Sequence, residues 1–449
     1  VAAGCIFAWV DPIVNFFLDP TNEPHMTSSE ISWMIVMPEV GSVLFSIPAG
    51  KLGDSLGRKP LILICGPILF ITWIGILFFG NSYLILSLMR CLQGVTLAII
   101  FTVVPLYMGE ICSPDKRGAI TSMFSNSLFF GYLLEYCVGP NTSYKVFTAF
   151  TALIPFIFTI LFYFQPESPY LLLMKGKDEE AKACLKTLSS GISENDLLNE
   201  IDKIKSAVKE YTENPTSIKD VFATSSSKRA LFVLLLIGNV RLLSGSFVLA
   251  SYSTNLFSIS GPSYISPDLL TIVMGAILFF GGFLNTFVVD KFGRRPLLLI
   301  SSTGSFFCLV ILTIYFYISE KFSEYKIYNW IVPFAIMVYS TFLVLGLYPA
   351  QVTYTSELFT SKTKGAASSI SSLNLTFGVA VSIKLYQIIL DSFGLSAAFL
   401  FFSVCSLFGI VLLYMFALET KGKTFSQIQE DLINVTTKKT HKSSSNIGA

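Results

Sequence analysis

Apolar runs of roughly 20 residues, the length needed to cross a bilayer as a helix, alternate along this chain with short polar connections. Read between charged residues and Gly/Pro breaks, the pattern predicts about twelve membrane helices, near 1–17, 32–50, 61–80, 84–108, 120–139, 145–164, 230–257, 268–289, 297–318, 330–354, 366–390 and 395–417. The first run is short and starts at Val1 without a methionine, so a native N-terminus is expected to be missing, and no basic segment precedes it as in a cleavable signal peptide. The pattern changes sharply at about 165–228. There Ser193-Glu194-Asn195-Asp196 reads as a helix start with a capping box, and Leu197, Ile201, Ile204, Val208 and Tyr211 recur at steps of four and three. That stripe predicts an amphipathic helix lying on the cytoplasmic face and bracing the two halves. The expected organisation is an N-terminal six-helix half (1–164, first helix truncated), a cytoplasmic helical linker (165–228), a C-terminal six-helix half (229–419) and a cytoplasmic tail (420–449).

Composition agrees with lipid as the solvent. Of 449 residues, 53% are hydrophobic and only 13% charged, against roughly 25% charged in an average soluble domain. The net charge of +2 implies no nucleic-acid partner. Placement of the charges says more than their sum. Lys51, Arg58 and Lys59, then Lys116 and Arg117, then Lys291, Arg294 and Arg295, then Lys362 and Lys364 fall in alternate connections, whereas 18–30 and 258–267 hold no lysine or arginine. By the positive-inside bias, both termini and the linker are cytoplasmic, and the expected location is the plasma membrane, as a multi-pass protein. Asn141-Thr142-Ser143 then lies outside and forms a glycosylation sequon close to a membrane helix, where such sequons are often unused. The eight cysteines form no CxxC or metal spacing, and the histidines are His25 and His441, both in polar segments. A histidine metal site, a Ser-His-Asp triad and a P-loop are excluded, so no enzyme activity, metal or cofactor is expected.

Three motifs occur twice in the same order. Asp54-Ser55-Leu56-Gly57-Arg58-Lys59-Pro60-Leu61 returns as Asp290-Lys291-Phe292-Gly293-Arg294-Arg295-Pro296-Leu297. Glu110, seven residues before Arg117, returns as Glu357, seven before Lys364, and Glu167 returns as Glu419. Two parallel six-helix halves explain the repetition. Glycines permit a tight turn between adjacent helices, and arginine offers a planar fork to carboxylates at neighbouring helix ends. Asp54, Gly57, Arg58, Lys59, Glu110, Arg117, Glu167, Asp290, Gly293, Arg294, Arg295, Glu357, Lys364 and Glu419 are therefore read as a cytoplasmic gate network that closes and opens with the cycle; the blander reading is that the basic residues only fix topology.

These motifs are where a family resemblance enters. Gly50 through Lys59, Arg90-Cys91-Leu92-Gln93-Gly94, Pro105 through Glu110, Pro166-Glu167-Ser168-Pro169 and Glu419-Thr420-Lys421-Gly422-Lys423 resemble the signatures of the sugar porters of the major facilitator superfamily, over nearly the whole chain. Tyr170 is similar to the insect facilitated trehalose transporter-like branch. The resemblance implies an all-α membrane protein of twelve helices in two halves, without cofactor, that works on a small solute by alternating access and functions as a monomer. The chain departs from the family where sugar is read. The Gln-Gln-Leu-Ser-Gly-Ile-Asn run of the seventh helix is here Arg241-Leu242-Leu243-Ser244-Gly245-Ser246-Phe247, and the tenth-helix pattern is Tyr348-Pro349-Ala350-Gln351-Val352. Gln93, Asn126, Arg241, Tyr252, Gln351 and Asn374 are the candidate substrate-binding residues, set against the alternative that they stitch helices together.

Arg241 lies twelve residues beyond Arg229, or about 18 Å along a helix and near mid-bilayer. A charge there needs a partner or a cavity; Glu39, Glu135 and Asp11 are the candidate partners. Lys384 is expected to snorkel outward. Ser244-Gly245, and Gly346 with Pro349, are expected bending points. Facilitated transport of a hexose or trehalose-like sugar is the leading reading. A diverged porter for another polar or anionic solute, or a non-transporting nutrient sensor, stands beside it.

Overall fold

The computed structural model describes residues 1–112, 117–188, 197–199, 201–202, 204–206, 208, 218–260, 264–321, 329–359, 361–423 and 427–432, and among them there is no strand. The first span is broken into α1 (Ala2–Ala8), a 3-10 turn at Asp11–Ile13 that carries Pro12, and α2 (Val14–Leu18). Five long helices follow: α3 (Ser28–Ser55), α4 (Arg58–Phe79), α5 (Tyr83–Ile111), α6 (Arg117–Val138) and α7 (Tyr144–Tyr163). The linker holds α8 (Pro169–Met174) and α9 (Asp178–Leu188). The seventh span is α10 (Ser225–Leu243) with α11 (Ser246–Ser260), and the eighth and ninth are α12 (Pro267–Phe292) and α13 (Arg294–Lys321). The tenth joins α14 (Ile331–Phe342) to α15 (Tyr348–Leu358) through a π-helical turn, Leu343–Leu347. In α16 (Ser361–Phe416) the only break is Gly394, at φ +87°, which divides it into the eleventh and twelfth spans.

The twelve predicted spans are all present, and most helices run past their apolar core by a turn or more at the end that carries the charged motifs. Among the described residues nine helical runs are apolar enough to cross a membrane, one of them, Gly365–Phe416, long enough to do so twice. Leu44, Ile71 and Phe408 are 65–70% exposed on the outside of the bundle, a surface suited to acyl chains rather than water.

Local chemistry starts and stops these helices. Thr27 and Glu30 form a reciprocal capping box on α3, with Thr27 N donating to Glu30 Oε2 (2.8 Å) and Glu30 N to Thr27 Oγ1 (3.3 Å). Thr224 Oγ1 caps α10 through Ser227 N, and Ser266 caps α12 with Pro267 in the first turn. After Gly394, Glu320 accepts from Ser396 N at 3.1 Å and starts the twelfth span. Asn141 is exposed in the short α6–α7 connection, its Nδ2 donating to Cys137 O at 3.1 Å.

Inside the first half α3 packs on α5, α4 on α5 and α7, and α1 on α6; inside the second, α13 and α10 pack on α16. The halves meet along two seams, α3 against α16 and α6 against α12. In the linker, Leu197, Ile201 and Ile204 are buried with Leu172, Leu173, Ala181, Cys184 and Leu185, as the predicted stripe requires. Ser193–Asp196 and Tyr211 lie outside the described residues. The linker's own apolar cluster is separate from the bundle core, and ties seen from it run to the first half: Lys175 Nζ donates to Leu56 O at 3.3 Å. At its other end the 3-10 turn Ile218–Phe222 packs on α10 and α16 of the second half, with Val221 buried in the bundle core, so the described linker residues touch both halves.

Candidate functional site

Each half ends in the same charged device. Gly57 (φ +129°) and Gly293 (φ +88°) turn the chain between consecutive spans, in a region of backbone space that is essentially glycine-only. Over each turn sits a carboxylate from the end of that half. Glu167 Oε1 accepts from Lys59 N (3.0 Å) and Ser168 N (2.8 Å). Glu419 accepts from Arg294 N (3.1 Å), Arg295 N (3.0 Å), Thr420 N (3.0 Å) and Lys421 N (2.8 Å). Both therefore cap the exposed amides of the helix that follows, where the helix dipole favours an anion. Partial burial raises the affinity of Glu419 for a proton, but the four backbone donors outweigh it and hold the carboxylate below its ordinary range.

The arginines close the device. Arg58 pairs with Asp54 (2.5 Å) and Glu110 (3.4 Å), and Arg294 with Glu357 (3.2 Å). Lys59 lies over the Tyr163 ring and Arg295 over that of Tyr414. Two further members were not singled out from the sequence although the repeat contained them: Tyr107 and Tyr354, each three residues before its glutamate, donate to Pro166 O (2.7 Å) and Leu418 O (2.6 Å). All these bonds join helices of the same half. The pairs tie neighbouring helix ends together within each half. The side chains of Arg117, Asp290 and Lys364 lie outside the described residues. Alanine at Gly57 or Gly293 would place a Cβ 2.6 Å from Glu167 Oε2 or 2.9 Å from Glu419 Oε2. With the backbone strain, each substitution should cost about 1–3 kcal/mol, read as earlier thermal unfolding in detergent.

Deep in the second half the seventh, tenth and eleventh spans converge on Arg241. Its Nη1 donates to Gln351 Oε1 (3.1 Å), and Gln351 Nε2 passes the chain to Ser371 Oγ (2.9 Å). Asn374 Nδ2 donates to Asn239 Oδ1 at 3.2 Å. Gly238 makes the room, since a Cβ there would touch Gln351 Nε2 and Asn374 Nδ2, both at 3.4 Å. The helix breaks just beyond, at Gly245 (φ +77°). The carbonyl of Arg241 accepts from Ser244 Oγ (2.7 Å) and Ser246 Oγ (3.0 Å), while Tyr339 OH donates to Ser244 O (3.0 Å). The predicted bends at Ser244-Gly245 and around Gly346 are both present, the second as the π turn.

Thus Arg241, Gln351 and Asn374 come together, and Asn239 and Ser371, which the sequence reading passed over, belong with them. Ser371 carried a signal, lying three residues before Asn374 on the same helical face, whereas Asn239, two residues before Arg241, carried none. The other candidates lie elsewhere. Gln93 is buried in the first half, accepting from Arg90 Nη1 at 3.0 Å. Asn126 sits on the seam against Gly282. Tyr252 marks a second irregularity in the seventh span (φ −130°, ψ 17°) and pairs its ring with Tyr386 at 5.3 Å. A small, half-open pocket lined by Val289, Arg294, Gly346 and Thr353 lies under the π turn, apart from the Arg241 cluster.

None of the expected carboxylates pairs with Arg241. Asp11 accepts instead from Ser253 Oγ (2.8 Å), Thr254 N (3.1 Å) and Thr254 Oγ1 (2.8 Å). Glu135 accepts from Thr151 Oγ1 (3.0 Å), and Glu39 faces Arg90. Each of the three points into another interface.

The Asp11 bonds cross between the halves, and they have company. Tyr136 OH donates to Ala250 O (2.7 Å) and Asn255 Nδ2 to Asn15 Oδ1 (3.2 Å). Lys384 reaches the end of the bundle, as expected of a snorkelling lysine, but docks on the other half: its Nζ donates to Ser32 Oγ (2.6 Å) and stands 3.9 Å from the Trp33 ring centroid. At mid-depth Ser42 Oγ meets Thr376 Oγ1 at 3.5 Å. The bundle is therefore tied shut at the end away from the linker. Among the described residues no cluster of metal-ligating side chains occurs.

Comparison with known proteins places this geometry. The model of the family described as "Sugar (and other) transporter" matches residues 3–432. A facilitated trehalose transporter of Bombyx mori is 28% identical over 414 residues, covering 91% of this chain and 80% of that protein. Facilitated glucose transporter member 2 of Sus scrofa is 28% identical over 400 residues, covering 87% and 74%. Among solved structures, the xylose transporter XylE from E. coli, in a partially occluded inward-open conformation, superposes with a TM-score of 0.77 at 19% identity, covering 94% of this chain and 97% of that one.

Proposed function

Because the chain belongs to the sugar (and other) transporter family and has the twelve-helix major facilitator fold, we propose that it carries a sugar across the membrane by alternating access. The observation that carries this reading is the pairing of two internally clamped halves with a seam closed at one end. The clamps, Arg58 with Glu110 and Arg294 with Glu357, keep each half stiff, while the bonds of Asp11, Ser42 and Lys384 are few enough to break and re-form. Such a body can rock about a mid-depth site. The relatives named above are trehalose, glucose and xylose transporters by name, which favours a hexose or a trehalose-like disaccharide as the cargo class. The amides of Asn239, Gln351 and Asn374 are suited to hydroxyl groups.

In this reading residues 1–164 and 229–419 are the rocking bodies, the lysine- and arginine-rich connections and both termini face the cytoplasm, and the Asp11 end faces outward at the plasma membrane. One chain is sufficient for the cycle. Saturable uptake of labelled glucose or trehalose by cells expressing the full chain tests it, together with the seam. Ser42→Cys with Thr376→Cys brings two thiols into disulfide reach. Oxidation should cut uptake roughly tenfold or more by holding the halves together, and a reductant should restore it. Undiminished uptake in a fully cross-linked protein would rule out rocking about this seam.

A further inference from the structure

The guanidinium of Arg241 is 3% exposed and has no carboxylate partner among the described residues. Its surroundings include one amide oxygen, Gln351 Oε1, and two rings, Tyr348 at 4.3 Å and Phe247 at 5.3 Å from the guanidinium carbon, with the neutral phenols of Tyr132 and Tyr339 nearby. Its Nε has no hydrogen-bond partner. An arginine keeps its charge in any protein interior. Rings and an amide reduce the cost of burying that charge but do not neutralise it.

The two rings also reach across the seam. Tyr348 packs on Phe129 of the first half at 4.6 Å and Phe247 on Phe7 at 5.9 Å, so the Arg241 compartment is walled by both halves and must open when they part. The missing counter-charge is thus at a place that a solute visits. Around it lie hydroxyl-reading groups, Asn239, Ser371 and Asn374, with spare hydrogen-bonding capacity.

Resting on the sugar-transport reading above, we propose that the solute is an acidic sugar, a uronate or aldonate, whose carboxylate pairs with Arg241 while its hydroxyls meet the neighbouring amides. A guanidinium fork suits a carboxylate in two-point contact. Its position explains why glutamine, adequate for a neutral hydroxyl, is absent here.

The test uses the full-length protein in oocytes, with surface protein quantified, and labelled glucuronate, gluconate, glucose and trehalose as probes. The expected result is saturable uptake of glucuronate or gluconate at roughly tenfold or more the rate of glucose, competed by the other acid and not by sorbitol. Arg241→Gln should remove that preference and Arg241→Lys should keep part of it. Neutral-sugar uptake without acid uptake overturns this proposal and leaves the transport reading standing, as does acid uptake that Arg241→Gln leaves intact. No uptake of either class, with normal surface protein, overturns both. If Arg241→Gln fails to reach the surface, the wild-type acid-to-glucose ratio and the competition decide alone.

Discussion

Replacing Arg90 with leucine should destabilise the protein by about 3–5 kcal/mol, the cost of removing one partner from a buried ionic group. Arg90 is 1% exposed in the middle of the first half. It donates through Nη1 to Ile6 O (2.8 Å) and Gln93 Oε1 (3.0 Å), and it lies 5.8 Å from the Trp9 ring centroid. Glu39 and Glu135, themselves buried, are the charges that face it. Leucine would leave both carboxylates without a positive neighbour, Gln93 without its donor, and the broken first helix without the cap on Ile6 O. The measurement is thermal unfolding of detergent-purified protein beside surface abundance in cells. Adding Glu39→Gln to Arg90→Leu should recover part of the loss, because one of the stranded carboxylates becomes neutral, and the double-mutant cycle isolates that coupling. Unfolding of Arg90→Leu indistinguishable from wild type would show that this charge cluster contributes nothing to the fold.

The contrast between Arg90 and Arg241 explains how much could be read before the structure. Both are inward arginines in apolar runs, and depth from the last cytoplasmic charge gives their level in the bilayer for either. What depth does not give is azimuth: which neighbour a side chain faces depends on how each helix is rotated and tilted against the others. For that reason Glu39 and Glu135 were candidate partners of Arg241 yet belong to Arg90, and Asp11 turned out to hold the seventh span at Ser253 and Thr254. The spans themselves were legible because lipid imposes length and hydropathy on every crossing helix. The doubled motifs were legible because they sit at helix ends, where the capping of amides by Glu167 and Glu419 is local in sequence order and nearly the same in both halves. The amide cluster was half legible: Gln351 and Asn374 stood out against family resemblance, while Asn239 and Ser371 look like ordinary helix polar residues until the helices converge. The seam was hidden almost entirely, since Ser42, Ser32, Asn15 and Ala250 carry no signal of their own and acquire a role only from what the opposite half presents.

Valine at Gly94 should be the most damaging single change in the apolar part of the bundle. A Cβ at Gly94 would stand 1.9 Å from Pro38 O, and one at Gly41 would stand 1.9 Å from Cys91 O. The two glycines face each other, the Gly41 position lying 3.2 Å from Gly94 Cα, so α3 and α5 touch backbone to backbone there. Close approach of this kind replaces the hydrophobic drive that helices lack in lipid with dispersion contacts along their length. No side-chain rotation can relieve a clash with a carbonyl, so the helices must separate, loosening the α3–α5 contact on which Glu39 meets Arg90. The expected cost is at least about 3 kcal/mol, the upper end of overpacking penalties, and surface abundance should fall severalfold. Gly109→Ala is the control, because a Cβ there meets nothing within 4 Å although it lies on the same helix. Its surface level should match wild type. If Gly94→Val reached the surface as well as Gly109→Ala, the two helices would not be in backbone contact in the membrane, and the frame that aligns Glu39 with Arg90 would have to be held by something other than that contact.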